Sequence, residues 1–587
     1  MLLGIVLKRK EPKMKFLWQN IMKNKWIAFL GVFLKTLATF AELTLPAILQ
    51  LIVDDVAPKG DLNRILMWGV AMVVLSVLAF ILNINGNRLA SQVARNSTRS
   101  IRHALFEHTV RLSASDADRF TVPSLESRIT SDTYNIHQFT GMILRMGIRA
   151  PILLVGGVVM TLFIDPVLTL VMVALLPLIA ISVIFISGKG VPLYTKTQQK
   201  LDKLVGVMRE NAIGIRVVKA LTKYDYETRR FDDANREHNA MEKKAAITMG
   251  AVNPIVSLIL NIGTAIVVLL GAYRVGGGYM KAGAIIAFIQ YFTQIINAML
   301  AVTRIFVMYS KASASANRVK EIIDTEEELS KESNEEYPDS ENRDLHVEFK
   351  DVSFSYNGKK NNVKNVSFSL RKGERMGIIG ATGSGKSTLM LLLMRFYDVS
   401  EGAIYVNGKD VRTYDKNVLR RMFGVALQND FIKNGTIAEN VSFDRDLSHE
   451  QIERGARLAQ AEEFITGKEG GYDFVLNSKG TNLSGGQRQR ILVSRALAGN
   501  PDLLILDDSS SALDYKTDAA LRSAVFENMK GTTVFIVAQR VSSVMNCNRI
   551  LVLDDGDVVD LGSHDELMER CEVYREISLS QMGGEVE

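Results

Sequence analysis

Six runs of apolar residues, near 26–53, 63–84, 141–164, 166–187, 252–273 and 283–308, each reach the roughly 20 residues a helix needs to cross the hydrocarbon of a bilayer. Water cannot satisfy backbone N–H and C=O groups there, so such runs fold as helices that bond internally. The mean hydropathy of +0.09 agrees with a membrane part. An all-helical domain of six spans is therefore expected over residues 1–320. In "MLLGIVLKRK" the positive charges follow the apolar stretch, the reverse of a signal peptide, so the N-terminus is expected to be kept and to stay inside. Lys8, Arg9, Lys10, Lys13, Lys15, Lys23 and Lys25 precede the first run as a cytoplasmic flank would. The net charge of +6 is read in that way, and no nucleic-acid partner is expected. An even number of spans returns the chain to the inner side. The outer connections are then short ("DDVAPKGDL", the Ile164-Asp165-Pro166 corner, "RVGGGYMKAG"), and Gly276–Gly278 is a turn that follows no strand. The inner ones, near 85–140 and 188–250, are long, rich in Arg and Lys, and helical in pattern, so the spans should continue beyond the membrane.

After the sixth run "DTEEELSKESNEEYPDSENRD" is acidic and nearly free of apolar residues, the mark of a solvated linker, placed at 321–345. From His346 short β-type runs alternate with helical segments, which predicts an α/β domain over 346–587. Its strand "RMGIIG" runs into "GATGSGKST", a fit to the G-x-x-x-x-G-K-[ST] phosphate loop. Gly380, Gly383 and Gly385 let backbone amides curl around phosphates, with Thr382, Ser384 and Thr388 in the same loop. Lys386 is expected to reach the β- and γ-phosphates and Ser387 to hold magnesium, while the helix that starts there aims its positive end at the anion. The two cysteines, Cys547 and Cys571, and the seven scattered histidines show no metal-binding spacing.

Further on, "NLSGGQRQR" precedes the strand "LLILDD" by a helix's length, and "SALD" follows. In this order the motifs resemble an ATP-binding cassette, and with six spans upstream the chain is similar to an exporter half-transporter of the ATP-binding cassette (ABC) family. The resemblance implies ATP and Mg2+, a multi-pass place in the cell membrane, and a cytoplasmic ATP-binding domain. It implies that Tyr356 stacks on adenine, that Gln428 in "GVALQND" touches magnesium, and that Asp507 holds it. Ser484, Gly485, Gly486 and Gln487 would form the signature, which in this family closes the phosphate loop of a second cassette. The segments "TVPSLESRITSD" and "ENAIGIRVVKAL" resemble the coupling helices that press on the cassettes.

Three positions depart from the family pattern. Asp508 stands where an active cassette has a glutamate that polarises the attacking water, and Gln539 stands where a histidine contacts the γ-phosphate. Ser478 replaces a glutamate of the cross-contact loop. Losing one methylene retracts a carboxylate by roughly 1.5 Å, and misplacement of about 1 Å can cost about a hundredfold in rate. No glutamate occurs between Glu469 and Glu527 to substitute. The chain's own ATP site is thus expected to be degenerate, with hydrolysis at the site that its signature completes on a partner half-transporter. A homodimer with two slow sites is the alternative.

The cargo is expected to be a small amphipathic or hydrophobic compound moved outward. A lipid or peptide flippase and a nucleotide-gated channel or regulatory membrane protein are the other readings. With the first run starting near residue 26, no peptidase domain is expected before it, which argues against a leader-cleaving peptide exporter. Polar residues in the spans include Lys35, Glu42, Asn83, Asn85, Arg145, Arg149, Asn253, Asn261, Gln290, Gln294 and Asn297. Glu42 is the most costly in lipid: either it faces a cavity suited to cationic amphiphiles or it pairs with an arginine. Lys35 lies two helical turns from it, about 10.5 Å along the axis, too far for an easy direct pair, and is expected to snorkel inward.

Overall fold

The computed structural model of the chain describes residues 12–327, 337–342, 344–428, 431–509 and 512–582. The stretch 1–11 and, within the acidic linker, residues 328–336 and 343 lie outside the described residues. The chain divides into two compact units, one of residues 1–110 and 122–325, the other of 111–121 and 326–587.

The first unit is helical: α1 (Pro12–Met22), α2 (Lys25–Leu51), α3 (Leu62–Val110), α4 (Thr133–Met146), α5 (Arg149–Ile164), α6 (Pro166–Ala220), α7 (Tyr224–Gly250), α8 (Val252–Gly276) and α9 (Ala282–Ile323). Six helical stretches among the described residues are long and apolar enough to cross a membrane. The inner connections continue the spans as helix, and α3 and α6 run for 49 and 55 residues. Asp165 shows why the corner at Ile164–Pro166 turns where it does. Its carboxylate accepts from the Leu168 N–H, Pro166 supplies the fixed φ of a first helical residue, and Arg274 holds the other oxygen at 2.6 Å. Close helix contacts use glycine: a Cβ at Gly263 would meet Leu175 and Phe292 within 2.9 Å.

Three intramembrane charges, Lys35, Glu42 and Arg149, form one connected group. The Arg149 guanidinium pairs with Glu42 at 2.9 Å, so of the two readings of Glu42 the ion pair is the one found. Asn83 donates to the other Glu42 oxygen at 2.7 Å and accepts from the Lys35 ammonium. The expectation that Lys35 snorkels is corrected. Only 3% exposed, it is tied to Asn83, whose amide spans the two-turn gap to Glu42 that a direct pair does not close.

In the second unit, strands β1 (Val347–Phe354), β2 (Val363–Leu370), β4 (Glu401–Val406) and β5 (Lys409–Asp410) make an antiparallel sheet in the order β2-β1-β4-β5. A six-stranded sheet has the order β12-β11-β3-β10-β9-β6, built from β3 (Arg375–Gly380), β6 (Phe423–Ala426), β9 (Leu503–Asp507), β10 (Thr533–Val537), β11 (Arg549–Asp554) and β12 (Asp557–Gly562). A two-stranded ribbon pairs β7 (Gly435–Thr436) with β8 (Val475–Leu476). Strands β3, β6, β9, β10 and β11 are parallel and only the edge strand β12 is reversed. Apolar clusters cover both faces of this sheet, so β9 and β10 are buried at every position and read as unbroken apolar runs rather than alternating ones.

The segment 111–121, expected as part of the inner connection 85–140 of the membrane domain, groups with the second unit and contains the short helix Ala114–Phe120. Its Asp118 accepts from the Tyr397 hydroxyl at 2.6 Å. "TVPSLESRITSD" from Val122 onward belongs to the first unit instead, where Asp132 pairs with Arg318 and accepts from Ser315 at 2.8 Å.

Asp518 and Arg522 pair at 2.8 Å almost wholly buried, and the guanidinium also donates to the Ser542 carbonyl. Asp518→Ala leaves that guanidinium without its counter-ion and is expected to cost about 3 kcal/mol. The check is the unfolding midpoint of the nucleotide-binding unit, which should fall in Asp518→Ala and recover in part when Arg522→Leu is added.

Candidate nucleotide site

The site forms where β3, β10 and β9 end side by side, so residues distant in sequence are delivered to one edge of the sheet. The phosphate loop leaves β3 and enters α10 (Lys386–Leu393). Two glycines make the turn possible. Gly385 sits at φ +95, where a Cβ would lie 2.6 Å from the Asn362 carbonyl oxygen, and a Cβ on Gly380 would lie 2.1 Å from that of Leu553. Lys386 is buried and folds back on the loop, donating to the Gly380 and Ala381 carbonyls at 2.9 and 2.7 Å. Burial lowers its pKa, against the opposing charges of Asp507 and Asp508.

A cavity of about 260 Å³ is lined by Asn362, the loop residues Thr382, Gly383 and Gly385 to Thr388, Gln428, Asp507, Asp508 and Gln539. Ser384 lies buried in the loop, and its hydroxyl has no hydrogen-bond partner among the described residues. Asp507 ends β9, and its hydrogen bond with Ser387 works against a pKa raised chiefly by burial. Gln428 donates to the Asp508 carboxylate at 3.1 Å. Asp508 stands in the left-handed region at φ +49, its N–H bonded to the Val537 carbonyl at 2.8 Å, which ties the end of β9 to that of β10. Gln539 follows β10, its carbonyl accepting from Gln581 of α12 (Glu572–Met582) at 2.8 Å. Sequence reasoning missed Asn362 and Gln581 because neither lies in a motif; each acts across a long loop closure.

Tyr356 stands beside the loop, its ring edge-on to Tyr397 at 5.1 Å and its hydroxyl 3.3 Å from that of Thr388. It is 47% exposed, which leaves a ring face free for a flat ligand. Of the residues named from sequence, Gly380 and Ser384 belong to the loop without lining this cavity, and the signature residues and Ser478 are not among its lining. Ser484 is the N-cap of α11 (Gly485–Ala498), locked by a reciprocal bond pair with Gln487, and Ser484 and Gly485 are exposed.

The donor set suits magnesium, since the Ser387 hydroxyl, Asp507 carboxylate and Gln428 carbonyl are hard oxygens. Among the described residues no group of three His, Cys, Asp or Glu could hold a metal. Magnesium takes one or two carboxylates and completes its shell with water and phosphate. When bound it would neutralise phosphate charge. The chain's own groups would cradle the phosphates with loop amides and the Lys386 ammonium.

A phosphate loop on an α/β sheet, joined in one chain to six membrane-spanning helices, defines a nucleotide-driven membrane transporter. The family of the ABC transporter transmembrane region matches residues 28–299, and the ABC transporter family of the ATP-binding part matches 363–511. The chain is 34% identical over 546 residues to YfiB, an uncharacterized ABC transporter ATP-binding protein of Bacillus subtilis, covering 93% of this chain and 94% of that one. It is 32% identical over 500 residues to an ATP-dependent lipid A-core flippase of Vibrio vulnificus, covering 84% of each. A bacterial Atm1-family ABC exporter solved with ATP bound shares the fold, with a TM-score of 0.79 over 97% of this chain and 99% of that one, at 24% identity. The chain therefore belongs to the ABC transporters, as a half-transporter with the exporter fold that carries its membrane and ATP-binding domains on one polypeptide.

If Tyr356 stacks on the base, Tyr356→Ala should weaken ATP binding about tenfold, the scale of one base–aromatic stack, while Tyr356→Trp keeps it. Displacement of a fluorescent ATP analogue measures this; equal affinity in wild type and Tyr356→Ala would remove Tyr356 from the site.

Proposed function

We propose that this half-transporter is the degenerate-site subunit of a heterodimeric exporter in the cell membrane, with its N-terminus and ATP-binding domain in the cytoplasm. It binds Mg2+ and ATP at its own loop with little turnover. Its signature completes the working site of a partner half-transporter, and the cargo is a small amphipathic or hydrophobic compound.

One observation carries the reading: among the described residues the cavity around the phosphate loop is lined by Asp508 and Gln539 and by no glutamate or histidine, whereas Ser484 and Gly485 lie exposed outside it. Gln428 already occupies the Asp508 carboxylate, which fits a group held for structure better than one poised over a water. A homodimer that flips lipid slowly is the second reading, favoured by the likeness to the Vibrio flippase.

The test is ATPase of the chain alone and of the assembled complex. The chain alone should be nearly inactive. In the complex Ser484→Arg should abolish turnover by filling the γ-phosphate space of the partner's site, whereas Asp508→Asn should lower it less than about threefold, because a badly placed carboxylate contributes little. Brisk turnover by the single chain supports the homodimer, and equal damage by both substitutions makes Asp508 a working base.

A further inference from the structure

The intramembrane cluster is unbalanced. The charged neighbours of Lys35 are Arg149, Glu42 and Arg145, so three cations share one carboxylate. Arg149 takes the Glu42 oxygen, Lys35 is met by the neutral Asn83, and the polar partner of Arg145 is the Ser91 hydroxyl at 3.2 Å. Two positive charges in excess are expensive in a bilayer and mark a site that an anion would complete. The Glu42 and Arg149 side chains are accessible, at 21% and 29% exposed, while Lys35 is buried.

An apolar groove of about 480 Å³ is lined by Trp26, Phe29 and Val32 of α2, the helix that carries Lys35 and Glu42, and by Leu144 and Ile148 at the junction of α4 and α5, the helices that carry Arg145 and Arg149. Ala28, Val32, Lys35, Thr39 and Glu42 recur every three or four residues, so groove and cluster share one stripe of α2. Leu144 and Ile148 each immediately precede an arginine of the cluster.

We propose that groove and cluster together bind an anionic amphiphile: a hydrocarbon chain in the groove, and a phosphate or carboxylate head at Arg145 and Arg149, with the buried Lys35 adding to the positive charge there. Guanidinium forks match both heads, and an excess of cations disfavours the cationic amphiphiles that Glu42 alone suggests. This names the ligand class for the transport reading above and rests on it.

The test is equilibrium binding to the full chain in maltoside micelles, followed by tryptophan fluorescence with dodecyl phosphate, dodecyltrimethylammonium and inorganic phosphate as probes. It needs no ATP turnover, so it fails or succeeds apart from the heterodimer reading. Dodecyl phosphate should bind at least about tenfold tighter than the ammonium amphiphile, and Arg145→Gln should remove about that factor while Arg145→Lys retains most of it. Val32→Trp should weaken dodecyl phosphate by filling the groove. Monodisperse elution of each variant confirms that it folds. Equal or tighter binding of the cation, or an unchanged preference in Arg145→Gln, overturns the site, and competition by inorganic phosphate as strong as by dodecyl phosphate overturns the amphiphile in favour of a free anion.

Discussion

At the phosphate loop a strand buried from Met376 to Gly380 must turn within a few residues into a helix, and the turn brings Gly385 so near the Asn362 carbonyl that a side chain would lie 2.6 Å from it. That close approach points the loop amides and the start of α10 the same way, toward the space where a phosphate would sit. The rest of the nucleotide-binding unit is arranged to support it. Parallel pairing sets the ends of β9 and β10 beside that of β3, and the N–H of Asp508 bonded to Val537 holds the two acids at the same edge.

A different constraint governs the membrane unit. With no water to satisfy polar groups, a buried charge has to find its partner within the protein. Lys35 and Glu42 share a helix at a distance that no direct pair spans, and Asn83 of α3 bridges them while Arg149 of α5 closes the group. Three helices are thereby tied by one set of polar contacts. The price of so few carboxylates is a positive site in an apolar wall, which is why it reads as a place for an anionic head.

The two units meet different demands, and the nucleotide site carries the departures. An aspartate bonded to Gln428 and a glutamine just beyond β10 are the two positions on which the proposed low turnover of this site rests. Ser484 is locked as an N-cap on an exposed helix start, the geometry that the proposed completion of a partner's site would use.

Much of this was legible in the linear chain, because it depends on local chemistry. Spans follow from runs of apolar residues, the loop from glycines at fixed spacing before Lys386, and the two acids from the strand that ends on them. Long-range closure was not legible. That Asn83 joins Lys35 to Glu42, that Arg149 rather than Arg145 takes the carboxylate, that 111–121 groups with the nucleotide-binding unit, and that Asn362 and Gln581 buttress the site all depend on which helix faces and strand ends meet. Residue types set what each side chain can bond. Tertiary packing alone decides which partner comes within about 3 Å, because a hydrogen bond is lost over distances far smaller than the spacing of helices.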